Sequence, residues 1–110
     1  MEVSAIVGLL ESFATAALGL ELIGATRDLS SFPYQLGLSD AANRVLSVSA
    51  AWHTDRGVVM FRAAYDEVQS LRVKAHVLKI SWWIGTEHHD GWWHCDPKFP
   101  RQWNKGSGPV

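Results

Sequence analysis

The stretch RVLSVSAAWHTDRGVVMFRAAY, from Arg44 to Tyr65, decides the fold because it predicts a β-hairpin with a defined register. In its first half apolar residues alternate with polar ones, which is typical of a strand with one buried face. The segment 54–57, Thr-Asp-Arg-Gly, is a typical hairpin loop in which Gly57 supplies the left-handed conformation. We therefore predict that His53 pairs with Val58.

This register matches apolar residues across the two strands. It places Trp52 opposite Val59, Ala50 opposite Phe61, Val48 opposite Ala63 and Leu46 opposite Tyr65. Because each apolar residue meets an apolar partner, one face of the hairpin is buried, and a shift by one residue would expose it.

The segment after the first loop, residues 58–79, has two interpretations. Helical spacing relates Phe61, Tyr65, Val68, Leu71, Ala75 and Leu78, which leaves a helix as the alternative. Strands are favoured because the register above holds and because residues 71–77 alternate strictly between apolar and polar. The strands would be joined by a turn over Asp66–Ser70. At Val77-Leu78 the alternation changes phase, which predicts a β-bulge.

The segment before the hairpin predicts one helix and two short strands. Ser4 can cap a helix that ends near Gly19, and its apolar stripe consists of Ile6, Leu10, Phe13, Ala17 and Leu20. Residues 20–26 are either a short strand or a last helical turn, and the strand is favoured. A second strand contains Tyr34, Leu36 and Leu38, followed by a loop over 39–43. The predicted fold is α+β: an N-terminal helix packed on an antiparallel β-meander of about five strands, with a C-terminal hairpin and an extended tail.

Length and composition restrict the class of protein. A chain of 110 residues forms one domain, here predicted as residues 1–96, followed by a basic and aromatic tail over 97–110. The formal charge of −1 argues against a general nucleic-acid binder. The lone Cys95 excludes an internal disulfide, so we expect a cytoplasmic protein. Glu2, Glu11 and Glu21 interrupt the apolar N-terminal run and argue against an export signal or a membrane span.

The chemistry-bearing residues concentrate in TEHHDGWWHCD, from Thr86 to Asp96. Asp90-Gly91 is a strong two-residue hairpin signal and predicts that His89 pairs with Trp92. The predicted core face then carries Thr86, His88, Trp93 and Cys95. The predicted outward face carries Glu87, His89, Trp92 and His94, together with Trp83.

A metal site is one hypothesis for this hairpin. Adjacent strand residues point to opposite faces, so His94 and Cys95 cannot chelate one ion together. Glu87, His89 and His94 would share a face, and two imidazoles with one carboxylate suit zinc or non-haem iron. A solvated hairpin face without any ligand is the plainer alternative.

A binding surface is the other hypothesis, since tryptophan is enriched at binding hot spots. The candidate binding residues are Trp83, His89, Trp92, His94, Phe99, Arg101 and Trp103. Whether the helix or the tail covers Trp83 and Trp92 stays open. The tail can also dock on the acidic N-terminal third, or bind single-stranded nucleic acid through its bases and aromatics.

The function predicted from the sequence is therefore a non-enzymatic protein-interaction module, binding a protein partner or a copy of itself as a homo-oligomer. A small inhibitor, an immunity-type protein and a viral-particle subunit all fit this description. The alternatives are a metal-dependent enzyme using Glu87, His89 and His94, and a nucleic-acid binder using the tail.

Overall fold

The structure, a computed structural model, describes residues 3–35, 44–69 and 74–108. Helix α1 spans Val3–Ser12 and continues as a π-helical segment, Phe13–Ala17. The strands are β1 (Leu22–Gln35), β2 (Arg44–Thr54), β3 (Gly57–Gln69), β4 (Lys74–Ile84), β5 (Glu87–Cys95) and β6 (Asn104–Lys105). They form one antiparallel sheet in the order β1-β2-β3-β4-β5-β6, which curls as a half-barrel and confirms the predicted α+β meander.

The helix packs most of its predicted apolar stripe against one face of the sheet, but Ala17 is exposed, and Leu9 and Ala14 are buried in addition. Ile6, Leu10 and Phe13 are fully buried in the core cluster. Phe13 lies at its centre, in edge contact with Phe61, Trp82, Trp93 and Trp103 at ring-centroid distances of 6.5, 5.5, 5.1 and 5.8 Å. The helical segment ends before Gly19, whose φ of +66° is the left-handed conformation that favours glycine.

The register of the β2–β3 hairpin is confirmed. His53 pairs with Val58 and Trp52 with Val59, and the pairing continues to Leu46 and Tyr65. Because β3 then pairs with β4 from Val59 to Gln69, the helical interpretation of residues 58–79 is wrong for the residues described there.

Two predicted strand boundaries differ from the structure. The short strand predicted at residues 20–26 is the beginning of the longer β1, which absorbs two register shifts against β2. The turn predicted over Asp66–Ser70 is wrong through Gln69, because β3 stays paired that far. Predictions on Leu36, Leu38, the loop 39–43, and residues 70–73 fall outside the described residues.

The predicted β-bulge at Val77-Leu78 is also wrong. Pairing is continuous here, with Val77 opposite Asp66 and Leu78 opposite Tyr65. Val77 and Leu78 point to opposite faces, and both are buried. The change of phase in the sequence therefore reflects burial on both sides of β4.

The last large hairpin turns at Gly85–Thr86, five residues before the predicted Asp90-Gly91 turn. Ile84 pairs with Glu87, Trp82 with His89 and Leu78 with Trp93. This pairing brings Trp93 and Cys95 opposite the buried end of β4 and leaves residues 87–90 at the exposed end. A turn at Asp90-Gly91 would instead bury Thr86 and His88, and unpaired buried polar groups are costly.

The tail docks on the body of the protein. Trp103 contacts Phe13, and its Nε1 donates a hydrogen bond to Ser12 Oγ at 3.3 Å. Ser12 Oγ in turn donates to the carbonyl oxygen of Pro100. Strand β6 pairs with β5 through Trp93 and His94. Within the described residues, no helix combines the length and the apolar character needed to traverse a bilayer.

Candidate functional site

The sheet has an inner face, which packs on α1, and an outer face on the opposite side. Strand alternation assigns side chains to these faces once the register is known. On β5 the inner face carries Glu87, His89, Trp93 and Cys95, because these residues pair with the inner-face residues of β4. The outer face carries His88, Asp90, Trp92 and His94.

This assignment corrects part of the predicted hairpin. Trp83, Trp92 and His94 are on the outer face, and Trp93 and Cys95 are in the core, as predicted. His88 is on the outer face, where the prediction placed it in the core. Glu87 and His89 are on the inner side, at the open end of the sheet, where both side chains are exposed.

Apolar side chains gather at the turn end of the outer face. Val58 and Met60 on β3 are 46% and 47% exposed, and Ile23 on β1 is 54% exposed. Ile23 and Val58 both pair with His53, and Met60 pairs with Trp83, so the four apolar residues occupy two neighbouring rows. We call Ile23, Val58, Met60 and Trp83 the outer patch.

Trp83 is held in place by its neighbours. Its ring stacks on the His88 imidazole, with centroids 4.8 Å apart and planes inclined by 13°. The Arg62 guanidinium carbon lies 5.9 Å from the Trp83 ring centroid, within the range of a cation–π contact. The indole remains partly exposed, so the outer patch presents a fixed aromatic edge beside exposed aliphatic side chains.

Trp92, by contrast, is covered by the tail. Its indole Nε1 donates to the Gly108 carbonyl at 2.9 Å, and its own carbonyl accepts a hydrogen bond from Gly106 N at 2.8 Å. A methyl group on Gly106 would lie 2.0 Å from Trp92 Cε2, so only glycine allows this close approach. His94 lies beside Trp92 at a centroid distance of 5.6 Å. The tail therefore covers Trp92, whereas the contacts of Trp83 come from His88 and Arg62 on the sheet itself.

Glu87 and His89 form a polar pair on the inner side. His89 Nε2 lies 2.8 Å from Glu87 Oε1, and its ring stacks on Trp82 at 5.0 Å. The hydrogen bond from His89 is the largest effect on the Glu87 carboxyl and lowers its pKa; desolvation opposes it, and the charges of His89 and Arg56 lower the pKa by smaller amounts. Arg56 Nη2 lies 3.6 Å from Glu87 Oε2, which joins the two hairpin turns.

The predicted metal ligands are not brought together. Glu87 and His89 share the inner face, but His94 lies on the outer face because the turn is at Gly85–Thr86. Across residues 3–35, 44–69 and 74–108, no group of three His, Cys, Asp or Glu side chains is arranged to hold a metal ion. The structure therefore does not bring together the three ligands that the predicted zinc or iron site requires.

The tail residues of the predicted binding set separate as well. Phe99 is 54% exposed and Arg101 is exposed beside α1. Trp103 packs on Phe13, so it is not free to stack on a nucleic-acid base while the tail is docked. Cys95 is fully buried, and burial, with a smaller contribution from Asp96, raises the pKa of its thiol to about 11. A thiol in this state is a poor nucleophile at neutral pH.

The sequence interpretation missed Ile23, Val58, Met60, Arg62 and His88. A usable signal was present in VVMF, residues 58–61, where apolar residues occupy both phases of a strand whose register had been assigned. Apolar residues at the outward-facing positions of a strand indicate that another element covers that face, or that the face carries an exposed apolar patch. Ile23 gave no comparable signal, since its strand begins with two register shifts.

Comparison of the chain with protein-family models, with curated proteins and with solved structures finds no match.

Proposed function

We propose that this protein is a protein-interaction module that binds its partner through the outer patch of Ile23, Val58, Met60 and Trp83. The observation that carries the proposal is that Val58 and Met60, each about half exposed, lie beside Trp83 on one sheet face. Ile23, also about half exposed, lies in the same row as Val58 on the far side of His53. A cluster of exposed apolar surface of this kind marks interaction sites in folded proteins.

The shape of the surface favours a macromolecule. Sites for small molecules are concave and enclose most of the ligand. The outer patch lies across β1, β3 and β4 on an open sheet face. A surface of this shape can contact a large partner but cannot enclose a small molecule. Trp83 is a suitable anchor because its stack on His88 fixes the ring before binding, which lowers the entropy lost on association.

The proposal modifies the sequence-based prediction in one respect. The binding surface is shifted from the β5 hairpin and tail toward β3 and β4, with Trp83 retained and Met60 added. Small inhibitors, immunity-type proteins and viral-particle subunits remain classes to which a module of this size can belong.

The test is a selection of displayed random peptides on the immobilised protein, followed by binding to the variant Met60→Glu. We expect the selected peptides to lose at least tenfold in affinity for this variant, because a carboxylate at the centre of the patch is desolvated by any apolar ligand. The control is Ala5→Glu, which adds the same charge at an exposed position of α1. If no selected peptide distinguishes Met60→Glu from the control, the outer patch is not a binding site.

A further inference from the structure

We infer that the partner segment carries a carboxylate beside its apolar anchor, and that Arg62 and Lys79 on the outer face receive it. This inference rests on the proposed function, because it identifies the chemistry of the ligand for the same surface. It concerns a shallow depression of about 300 Å³ that adjoins the outer patch along β3 and β4.

The depression arises from small side chains set between larger ones. Its outer-face lining consists of Ser47, Arg62, Ala64, Lys79, Ser81 and Asp90. Met60 and Trp83 form the adjacent row on one side, and Trp92 pairs with Lys79 on the other. Serine and alanine between tryptophans leave room for a ligand group, and the serine hydroxyls are hydrogen-bond donors.

Two cations border this space. Arg62 pairs with Ser81, and Lys79 pairs with Ala64, so the two basic residues are diagonal neighbours on adjacent strands. Such neighbours are roughly 7–8 Å apart at the backbone, within joint reach of one carboxylate for long side chains. Arg62 contacts the Trp83 ring, and neither basic side chain forms an ion pair with the described residues. Their charge is therefore available to a ligand.

Asp90 borders the depression from β5, and its negative charge distinguishes an anionic ligand group from a cationic one. It lies in the same row as Arg62, on the far side of Ser81. A bound carboxylate is attracted by Arg62 and Lys79 and repelled by Asp90. Removing the Asp90 charge therefore has the opposite effect on a carboxylate ligand from removing the Arg62 charge.

The geometry of β3 sets the distance between the apolar anchor site at Met60 and the positive charge of Arg62. Met60 and Arg62 are two residues apart on one face of β3, a separation of about 7 Å. An extended peptide repeats its side chains on one face at the same interval. The geometry thus favours a segment with an apolar residue and an Asp or Glu two positions away.

The experiment uses the same displayed random peptides. Among peptides whose binding requires Met60, we expect Asp or Glu to be enriched two positions from an apolar residue. Arg62→Gln and Lys79→Gln should each weaken a synthetic peptide of this type about three- to fivefold, the effect of one partly exposed charge pair. Asp90→Asn should tighten it by a similar factor. Lys98→Gln, an exposed charge of the tail, is the matched control.

The outcomes separate the two proposals. Peptides that require Met60 but show no acidic enrichment, and that bind Arg62→Gln as tightly as Lys98→Gln, overturn the inference and leave the proposed function standing. Weaker binding to Asp90→Asn also overturns it, because the ligand group would then be a cation. A Met60-dependent dimer seen by sedimentation, with no peptide selected, would identify a second copy as the occupant and contradict the inference. Failure of every peptide to depend on Met60 removes both proposals.

Discussion

The β2–β3 and β4–β5 hairpins both close with a two-residue turn, but different forces hold the two turns. In the first, Thr54 Oγ1 donates to the Gly57 carbonyl at 2.8 Å and accepts from Arg56 N at 3.0 Å. In the second, Gly85 has a φ of +60° and no heavy atom near its missing side chain. Two further hydrogen bonds join Asp55 of this turn to Glu21: Asp55 N donates to the Glu21 carbonyl, and Glu21 N donates to Asp55 Oδ1. The first turn is therefore fixed by hydrogen bonds.

The second turn is fixed from a distance. Its position follows from the packing of Trp93 on the inner face, where this residue pairs with Leu78 and contacts Phe13. Gly91 lies in mid-strand beneath the Trp93 ring, so its lack of a side chain serves packing. The comparison teaches that a glycine-containing dipeptide within a strand signal has two uses, and that core packing selects between them.

The largest expected effect comes from placing a methyl group on each glycine of the second hairpin. Gly91→Ala should lower the free energy of unfolding by about 2 kcal/mol, because the new Cβ crowds the ring and φ is positive. That Cβ would lie 3.1 Å from Trp93 Cη2 at a φ of +153°. Gly85→Ala has free space and should cost about 1 kcal/mol for its left-handed backbone alone. Urea denaturation measures both, and a larger loss at Gly85 would contradict the close packing of Gly91 beneath the Trp93 ring.

A smaller effect tests the local hydrogen bonds of the first turn. Thr54→Val keeps the shape of the side chain and removes the buried hydroxyl. We expect a loss of about 1–2 kcal/mol, since Arg56 N loses its acceptor and the Gly57 carbonyl loses its donor. The control is Thr86→Val in the exposed second turn, with an expected change under about 0.5 kcal/mol. Equal losses in the two turns would mean that they are held alike.

The smallest effect concerns the acid titration of Glu87. Because the folded-state pKa of this carboxyl is lowered by His89, its ionised form stabilises the fold above the ordinary pKa, and this contribution is lost as the pH falls through the folded value. His89→Ala should raise the pKa of Glu87 toward its ordinary range, as measured by NMR of the side-chain carboxyl carbon. His88→Ala, on the outer face, should leave it unchanged. An equal rise in both variants would place the two histidines on one face.

The sequence predicts the register of the first hairpin but not that of the second, because local signals decide the first turn and core packing decides the second. In residues 44–65 the turn residues and the apolar alternation indicate one register, and that register is confirmed. In residues 82–95 the Asp90-Gly91 signal favours one turn, while burial of Trp93 against Leu78 requires another. Gly85-Thr86 was also a usable turn signal, since a type II′ turn takes glycine at its first central position.

The candidate site was less accessible to prediction than the fold. Trp83 was placed on the outer face because its phase depends only on β4. His89 and His94 were assigned to a common face through the turn, so one error in the turn moved His89 to the other side of the sheet. The cover of Trp92 by Gly106 and Gly108 depends on where the tail folds back, and nothing in its composition specifies that contact.

The central claim is the β4–β5 register, because it sets which side chains share the outer face with Trp83. Cross-strand NOEs between backbone protons on labelled protein test it most directly. We expect contacts that join Trp83 to His88 and Leu78 to Trp93. Contacts that join His88 to Trp93 and Thr86 to Cys95 would contradict it, since they require the turn at Asp90-Gly91.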